Sequence, residues 1–233
     1  RQMCIRDSTN TIGLNKYVEG REIGEIWGLQ TIGIAKSEEE MQAHLSSLPK
    51  GGQEAIGSKW SAGDIMYRDL NGDGKISKGA STLDDHGDLK VIGNSTPRYF
   101  FGIDLNADWK GFDVRFFFQG VMKRDYWGKD NFCGYLFGVR GDKDIWHARG
   151  LVEHQNYFRA QAIGIDGHEL PANLDAYYPR PVFKEGAKNQ ETQSRYLQDA
   201  SYIRLKNFQL GYTLPAKWMK NIGLTKCCLL YTS

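Results

Sequence analysis

Apolar and polar residues alternate through residues 98–123, and the alternation predicts two β-strands joined by a tight turn at Lys110 and Gly111. Successive side chains of a strand point to opposite faces, so each predicted strand has one apolar and one polar face. The apolar set is Tyr99, Phe101, Ile103, Leu105, Ala107 and Trp109, followed by Phe112, Val114, Phe116, Phe118 and Met122. The polar set includes Asp104, Asn106, Asp108, Asp113, Arg115, Gln119 and Lys123.

The length of these strands favours the wall of a transmembrane β-barrel. Roughly 9–11 tilted residues cross a bilayer, and both alternating runs are at least that long. Tyr99, Trp109 and Phe112 lie at strand ends, where they suit the aromatic girdles of such a barrel. A soluble β-sandwich produces the same alternation and is the alternative. We therefore predict an all-β fold of antiparallel strands that forms part of a transmembrane β-barrel.

Residues 201–214 predict a third long strand with an irregularity inside it. The apolar phase begins at Ile203 and Leu205 and then shifts to Phe208 and Leu210. A shift of this kind predicts a β-bulge or a crossing out of the membrane band. Another strand is predicted to begin at Leu224.

The connections between the predicted strands alternate in length. They are long before residue 97, short at 110–111, long at 124–200 and short at 215–223. An up-and-down barrel requires this alternation if all short turns lie on one side, whereas a Greek-key sandwich does not. Long irregular segments count against a compact soluble domain, but they are expected as extracellular loops of a barrel.

One short α-helix is predicted after Ser37. Ser37 and Glu40 form a capping box, and Met41, Leu45 and Leu48 follow at helical spacing. The apolar stripe is that of a surface helix packed on its support.

Composition narrows the function classes without naming one. The chain has 233 residues, 40% of them hydrophobic, with a mean hydropathy of −0.53 and a net charge of +2. No run approaches the roughly 18 apolar residues of a spanning helix. Barrel strands are half polar, so hydropathy barely detects them. The scattered Lys and Arg residues give no indication of nucleic-acid binding.

The two ends of the chain differ from the rest. Residues 1–8 and 228–233 resemble translated sequencing adapters, and we predict that they are non-native tails. Residues 9–227 then form the native part of the chain.

Residues 69–76 match the first positions of an EF-hand calcium loop. Asp69, Asn71 and Asp73 supply oxygens at alternate positions, and Lys75 supplies a backbone carbonyl. Gly74 stands at the sixth position, where the loop needs a sharp turn. The sequence therefore predicts that these four residues bind a structural Ca²⁺ ion. The alternative is a series of Asx turns without an ion.

The closing ligand of that loop is not fixed by the motif. The twelfth position carries Ala80 in place of the bidentate Glu. Asp84, Asp85 or Asp88 closes the site only if the intervening residues 79–83 fold back.

No catalytic constellation is evident, so we predict that the chain is not an enzyme. The sequence contains no nucleophile elbow or glycine-rich phosphate loop, and the five His residues lack zinc-ligand spacing. Aromatic residues of the long loop either stack on sugar rings or pack the loop against its neighbours. They are Tyr126, Trp127, Trp146, Tyr157, Tyr177 and Tyr178.

A set of short motifs in order resembles the C-terminal barrel region of SusC/RagA-type TonB-linked outer membrane receptors of the Bacteroidota. The motifs are Gly63-Asp64-Ile65, the loop at 67–76, Val91-Ile92-Gly93-Asn94, Thr96-Pro97-Arg98-Tyr99, Phe118-Gln119-Gly120, the run at 201–207 and Leu210-Gly211-Tyr212-Thr213-Leu214-Pro215. The pairs Glu19-Gly20, Ile23-Gly24 and Trp27-Gly28 resemble the segment before that region. Residues 77–90 depart from the family, since this stretch is longer and its acids sit later.

The resemblance implies an active importer in the outer membrane, with a barrel of about 22 strands. It implies energy coupling by TonB through an N-terminal region that this sequence lacks, and a SusD-like surface lipoprotein that captures glycans or peptides. We expect residues 20–96 and 124–200 to lie largely outside the cell. We also expect five polar strand residues to face the lumen, namely Asp104, Asn106, Asp108, Asp113 and Arg115. The alternative function is a soluble or surface-tethered, calcium-stabilised, β-rich glycan-binding module.

Overall fold

A computed structural model describes residues 12–16, 18–128, 155–165, 168–182, 186–215, 217–218 and 227–232. The chain divides into two compact units. We call residues Arg1–Ser95 with Tyr126–Gln198 the core unit, and Thr96–Asp125 with Asp199–Ser233 the sheet unit. Each unit draws on two stretches of the chain that are distant in sequence.

Strands are the main regular element among the described residues, with one α-helix, as the sequence predicts. In chain order the elements are β1 Glu25–Leu29, β2 Thr31–Ile34, α1 Glu38–Ser46, β3 Ile65–Tyr67, β4 Leu89–Asn94, β5 Tyr99–Trp109, β6 Phe112–Met122, β7 Asp125–Tyr126, β8 Ile163–Ile165, β9 His168–Leu170, β10 Gln198–Asp199, β11 Tyr202–Thr213 and β12 Cys228–Thr232. Short 3₁₀ helices cover Gly186–Asn189 and Ser194–Tyr196.

The core unit is built from two-stranded antiparallel sheets around a buried cluster. Strand β1 pairs with β4, β2 with β3, and β8 with β9. The fully buried members of the cluster are Leu29, Ala35, Met41, Ile65, Tyr67, Ile76 and Tyr196. These residues come from both stretches of the unit, so burial of apolar area ties the two stretches together.

The second stretch of the core unit has few regular elements, as predicted, but it also packs into the core. The sequence predicts a long irregular segment at 124–200, but its described part contributes Phe158, Ala176, Tyr178 and Tyr196 to the buried cluster. Backbone hydrogen bonding also joins this second stretch to the first, since the Leu29 N–H donates to Thr192 O at 2.8 Å. Sequence periodicity missed this packing because the segment carries few regular elements.

The predicted α-helix is confirmed. Helix α1 begins after Ser37, whose hydroxyl accepts a hydrogen bond from the Glu40 N–H at 3.2 Å. The Glu40 carboxylate accepts a hydrogen bond from the Lys36 N–H at 2.6 Å, one residue before the N-cap N–H that a capping box uses. Met41 on its inner face is fully buried. No helix among the described residues is long and apolar enough to cross a membrane.

The sheet unit is a four-stranded antiparallel sheet in the order β12-β11-β6-β5. The hairpin of β5 and β6 follows the predicted alternation to within one residue at each end. Lys110 (φ 48°) and Gly111 (φ 90°) form its two-residue turn. Positive φ at both central residues is the geometry that matches the twist of two paired strands.

The predicted irregularity in the third long strand is a β-bulge. Leu205 pairs with Phe118, and Asn207 pairs with the preceding residue of β6, Phe117, so Lys206 is the extra residue. The bulge restores the alternation beyond it, because Phe208 lies opposite Phe116. The phase shift in the sequence is therefore confirmed as a structural feature.

Strand β12 occupies the far edge of this sheet. Cys228 pairs with Thr213 and Thr232 pairs with Gln209. The predicted strand start at Leu224 and the predicted tail at residues 1–8 lie outside the described residues. That residues 228–233 are non-native stays a prediction.

Candidate functional site

The sheet unit has one continuous apolar face. Cross-strand neighbours share a face, so the register places the apolar residues of β5, β6, β11 and β12 side by side. The rows across the sheet are Ile103, Phe118 and Leu205; Leu105, Phe116 and Phe208; Ala107, Val114, Leu210 and Tyr231; and Trp109, Phe112, Tyr212 and Leu229. Ring contacts follow these rows, with Phe112 and Tyr212 centroids 4.3 Å apart.

This face is exposed to an extent that is unusual for apolar side chains. Leu105 is 52% exposed, Ile203 60% and Trp109 69%. Apolar patches of this extent mark surfaces that contact another protein or a membrane. The sheet therefore presents an apolar surface of the kind that contacts a membrane or another protein.

The opposite face of the same sheet is polar near the turn. The Arg115 guanidinium binds the Asp104 carboxylate in an ion pair. Asn106 lies opposite Arg115, and Asp108 lies opposite Asp113. The five residues that the sequence predicts to face a lumen thus share one face, as predicted.

The calcium-like loop of the core unit is a chain of Asx turns. The Asp69 carboxylate accepts hydrogen bonds from Gly72 N–H at 2.6 Å and Gly74 N–H at 2.9 Å. Asn71 Oδ1 accepts from Asp73 N–H at 2.9 Å, and Asp73 Oδ1 accepts from Lys75 N–H at 3.0 Å. The loop therefore curls as the predicted motif requires.

Lys75 and Ile76 attach the end of this loop to its support. The Ile76 side chain is fully buried, and its N–H donates to Gly52 O at 2.7 Å. The Lys75 side chain is exposed, and its backbone pairs with Gly52. A carbonyl is thus the only metal ligand that Lys75 could offer.

Asp88 completes the loop. Its carboxylate is fully buried and accepts from Leu70 N–H at 2.7 Å and Ser77 N–H at 2.8 Å. One oxygen each from Asp69, Asp73 and Asp88 lie within 4.8 Å of one another. Of the three acids that the sequence proposes as closing residues, Asp88 is the one that reaches the loop.

The fold-back needed for this closure lies in residues 77–88. Asp85 Oδ2 accepts from Ala80 N–H at 3.0 Å and so turns the segment. The Asp88 backbone N–H bonds Ser77 O at 2.8 Å. Oxygen ligands, here including the carboxylates of Asp69, Asp73 and Asp88, are the ligands that a hard cation such as Ca²⁺ prefers.

Two loop aromatics of the core unit, Tyr177 and Tyr178, pack on each other and on Tyr196. Tyr178 is buried, and its ring lies 4.7 Å from Tyr177 and 6.0 Å from Tyr196. Burial raises the pKa of Tyr196 well above its ordinary value. For Tyr178, packing describes the observed role better than sugar stacking does. Trp146 lies outside the described residues.

Sequence reasoning missed a buried ionic cluster around Asp64. Its fully buried carboxylate accepts hydrogen bonds from Arg180, Lys188 and Asn189. Burial alone would raise the pKa of Asp64, but these hydrogen bonds outweigh it and hold the pKa below its ordinary value. The partners lie more than 110 residues away in sequence, at separations of 116 to 125. No local pattern could have joined them.

The sequence of this chain is similar to those of curated TonB-dependent receptors. The chain is 26% identical over 206 residues to TonB-dependent receptor P3 of Formosa agariphila, covering 88% of this chain and 16% of the relative. It is 24% identical over 229 residues to TonB-dependent receptor P26 of the same organism, covering 94% of this chain and 18% of the relative. The chain thus spans less than one fifth of these relatives. No family model matches it.

Solved structures give weaker matches. The RagAB peptide transporter aligns with a TM-score of 0.47 at 16% identity, covering 89% of this chain and 18% of that one. The curated relatives confirm the resemblance to TonB-linked receptors that the motifs predict. Their names describe receptors and not enzymes, which agrees with the prediction that the chain is not an enzyme.

Proposed function

We propose that this chain forms part of the barrel wall of an outer-membrane receptor that imports nutrients by active transport. The observation that carries the proposal is the sheet with one continuous apolar face and an opposite face that is polar near the turn. Its strands β5 and β6 have 11 residues each and are long enough to cross a bilayer. The relatives' names support the same class of protein.

In this proposal the apolar face meets lipid and the polar face lines the lumen. Barrel strands alternate apolar-out and polar-in, and β5 and β6 alternate in this way from the turn as far as Phe101 and Phe116. Trp109, Phe112 and Tyr212 gather at the turn end of the apolar face, where an aromatic girdle would meet the headgroups.

The proposed partners follow from the resemblance. TonB would supply energy through a region beyond this chain, and a SusD-like surface lipoprotein would help capture a glycan or peptide. We place the protein in the outer membrane of a Gram-negative bacterium of the Bacteroidota, and the Formosa relatives support that source.

Arginine substitutions test the orientation of the sheet. In the full-length receptor that carries this sequence, Phe116→Arg and Ile103→Arg put a charge on the proposed lipid face, at a cost of about 2–4 kcal/mol each near the midplane. We expect both variants to be lost from the outer membrane, measured by surface labelling.

Asp108→Arg is the matched control, because Asp108 lies on the polar face opposite Asp113, whose carboxylate can pair with the new charge. We expect its surface level to stay near that of the unmodified receptor. Equal loss of all three variants, or normal levels of all three, would contradict the assigned faces. A chain that expresses folded without detergent would favour a soluble glycan-binding module instead.

We also propose that the loop at 69–76 holds a structural Ca²⁺ ion with Asp69, Asn71, Asp73, the Lys75 carbonyl and Asp88. The convergence of three carboxylates supports it, since like charges this close repel unless a cation or protons intervene. The ion would stiffen the loop and would take no part in transport chemistry.

Calcium dependence of local stability tests this second proposal. Hydrogen exchange of the amides at 69–77 should slow on adding Ca²⁺ to chelator-treated receptor. Asp73→Asn should remove the effect, whereas Asp84→Asn should keep it, because Asp84 lies outside the carboxylate group. Identical exchange with and without Ca²⁺ would refute the ion.

A further inference from the structure

We infer that residues 58–64 of the core unit form an ammonium-binding cage, and that the Lys188 side chain fills it as a built-in ligand. The cage consists of the Ser58 and Lys59 carbonyls, the Asp64 carboxylate and the indole of Trp60. This inference concerns the core unit alone and stands apart from the proposed transport function.

The three acceptors match the three donors of an ammonium group. Lys188 Nζ donates to Asp64 Oδ2 at 2.7 Å, Lys59 O at 2.8 Å and Ser58 O at 3.0 Å. A lysine ammonium has three N–H donors and no acceptor. A neutral amine would turn its lone pair towards one of these oxygens, so the arrangement specifies the charged form.

The fourth side of the cage is aromatic. Nζ lies 4.8 Å from the centroid of the Trp60 ring, within the range of a cation–π contact. Trp60 is held there by a hydrogen bond from its Nε1 to Gly57 O at 2.8 Å. An aromatic face beside oxygen acceptors recognises an organic ammonium, because the ring offers no lone pair to a small hard metal ion.

The space beside the cage fits the aliphatic part of the Lys188 side chain. A Cβ atom on Gly57 would lie 2.6 Å from the Lys188 Cβ, so only glycine leaves room for the stem. Lys59 has a positive φ of 54°, which is uncommon for a residue with a side chain. Both Ser58 and Lys59 carbonyls point to one nitrogen in this conformation, so the strained backbone serves the cage.

Burial makes the charge pairing obligatory. The side chains of Lys188 and Asp64 are 1% and 0% exposed. The other charged group on Asp64 is Arg180, which binds it through Nε and Nη2 at 2.9 Å each. Removing the ammonium would take the Lys188 donor from Ser58 O and from Asp64, while Lys59 O would keep its hydrogen bond from Arg180 Nη2 at 3.2 Å. The loss of a donor to buried acceptors is costly.

Truncating the lysine should therefore create a receptor site for a free amine. In the full-length protein, Lys188→Ala removes the atoms that n-propylammonium would replace. We expect hydrogen exchange at 57–67 and 186–193 to rise on the order of a hundredfold. Millimolar n-propylammonium should restore most of the protection, whereas 1-propanol and tetramethylammonium should not, because neither carries N–H donors on a cation.

Two matched variants isolate the cage from a general packing effect. In Asp64→Asn/Lys188→Ala the carboxylate is lost, and n-propylammonium should no longer protect. In Lys188→Met an apolar stem fills the space, so the amine should have no effect. Rescue by 1-propanol, or rescue that survives in the double variant, would overturn the inference.

A measurement on the unmodified protein covers the case in which Lys188→Ala does not fold. Acetylation by an amine-reactive reagent should modify the exposed Lys50 and Lys75 while Lys188 stays unmodified. Asp64→Asn should make Lys188 reactive. Modification of Lys188 at the rate of Lys50 in the unmodified protein would refute a filled cage.

Discussion

The two units of this chain use apolar residues in opposite ways. In the core unit, apolar side chains such as Leu29 and Ile65 are fully buried among their own neighbours. In the sheet unit, Leu105 and Ile203 point outward and are about half exposed, at 52% and 60%. The core unit therefore carries its own solvent-excluding interior, whereas the sheet unit depends on its surroundings to cover its apolar face. In the proposed function, membrane lipid covers this apolar face.

Polar groups divide along the same line. The core unit buries Asp64 and Lys188 within a network of hydrogen bonds, where low dielectric makes each contact matter. The sheet unit keeps its ion pair of Asp104 and Arg115 exposed on one face. Substitutions of polar residues should therefore act through buried hydrogen bonds in the core unit and through an exposed ion pair in the sheet unit.

The largest effect is expected from a change of register in the sheet unit. Deleting Gln209 leaves no pairing that places Phe208, Leu210 and Tyr212 together on the apolar face. We expect the full receptor to fail to assemble in the outer membrane, measured by surface labelling. Deleting the bulge residue Lys206 is the control, since the alternation then becomes regular and assembly should persist. Similar levels of both variants would contradict the observed register.

Acid should act on the core unit through Asp64. Its pKa is lowered in the folded state, so its contribution to stability is complete above the unfolded value of about 3.9. That contribution is lost as the pH falls through the lower folded value. Hydrogen exchange at 58–67 should therefore accelerate below about pH 4.

Asp64→Asn removes this part of the pH dependence. It should also destabilise the core unit by about 3–5 kcal/mol at neutral pH, because Arg180 and Lys188 keep their charges. An unchanged acid response in Asp64→Asn would show that another group governs it.

Matched leucine truncations compare the two units directly. Leu29→Ala should cost about 2–5 kcal/mol, because a fully buried side chain leaves a cavity. Leu105→Ala should cost well under half of that, since its side chain faces outward and lipid can fill the gap. Unfolding in urea, followed by hydrogen exchange in each unit, measures both. Equal costs would remove the proposed difference between the two apolar surfaces.

The smallest effect is expected at the start of helix α1. Ser37→Ala removes the hydroxyl that accepts from the Glu40 N–H and should cost about 1 kcal/mol. Exchange of the α1 amides should rise while that of β5 and β6 stays unchanged. Ser46→Ala at the exposed end of the helix serves as the control.

Sequence reasoning succeeded where the signal was local. The hairpin of β5 and β6, the bulge at Lys206 and the cap at Ser37 each follow from residues within a few positions of one another. For the carboxylate loop, the Ca²⁺ site itself stays a prediction. The motif includes Asp69 and Asp73, and the sequence leaves Asp84, Asp85 and Asp88 as candidates for the closing ligand. In the structure, the fold-back brings Asp88 to Asp69 and Asp73.

The sequence by itself determined the two faces of the sheet, because a period of two fixes which side chains share a side. It also determined the turn and cap chemistry, which depends on backbone conformations that few residues adopt. Only the tertiary structure decided that Phe158, Tyr178 and Tyr196 complete the core around Leu29, and that Lys188 reaches Asp64. Such contacts join segments more than a hundred residues apart, and they form through packing that no local periodicity encodes.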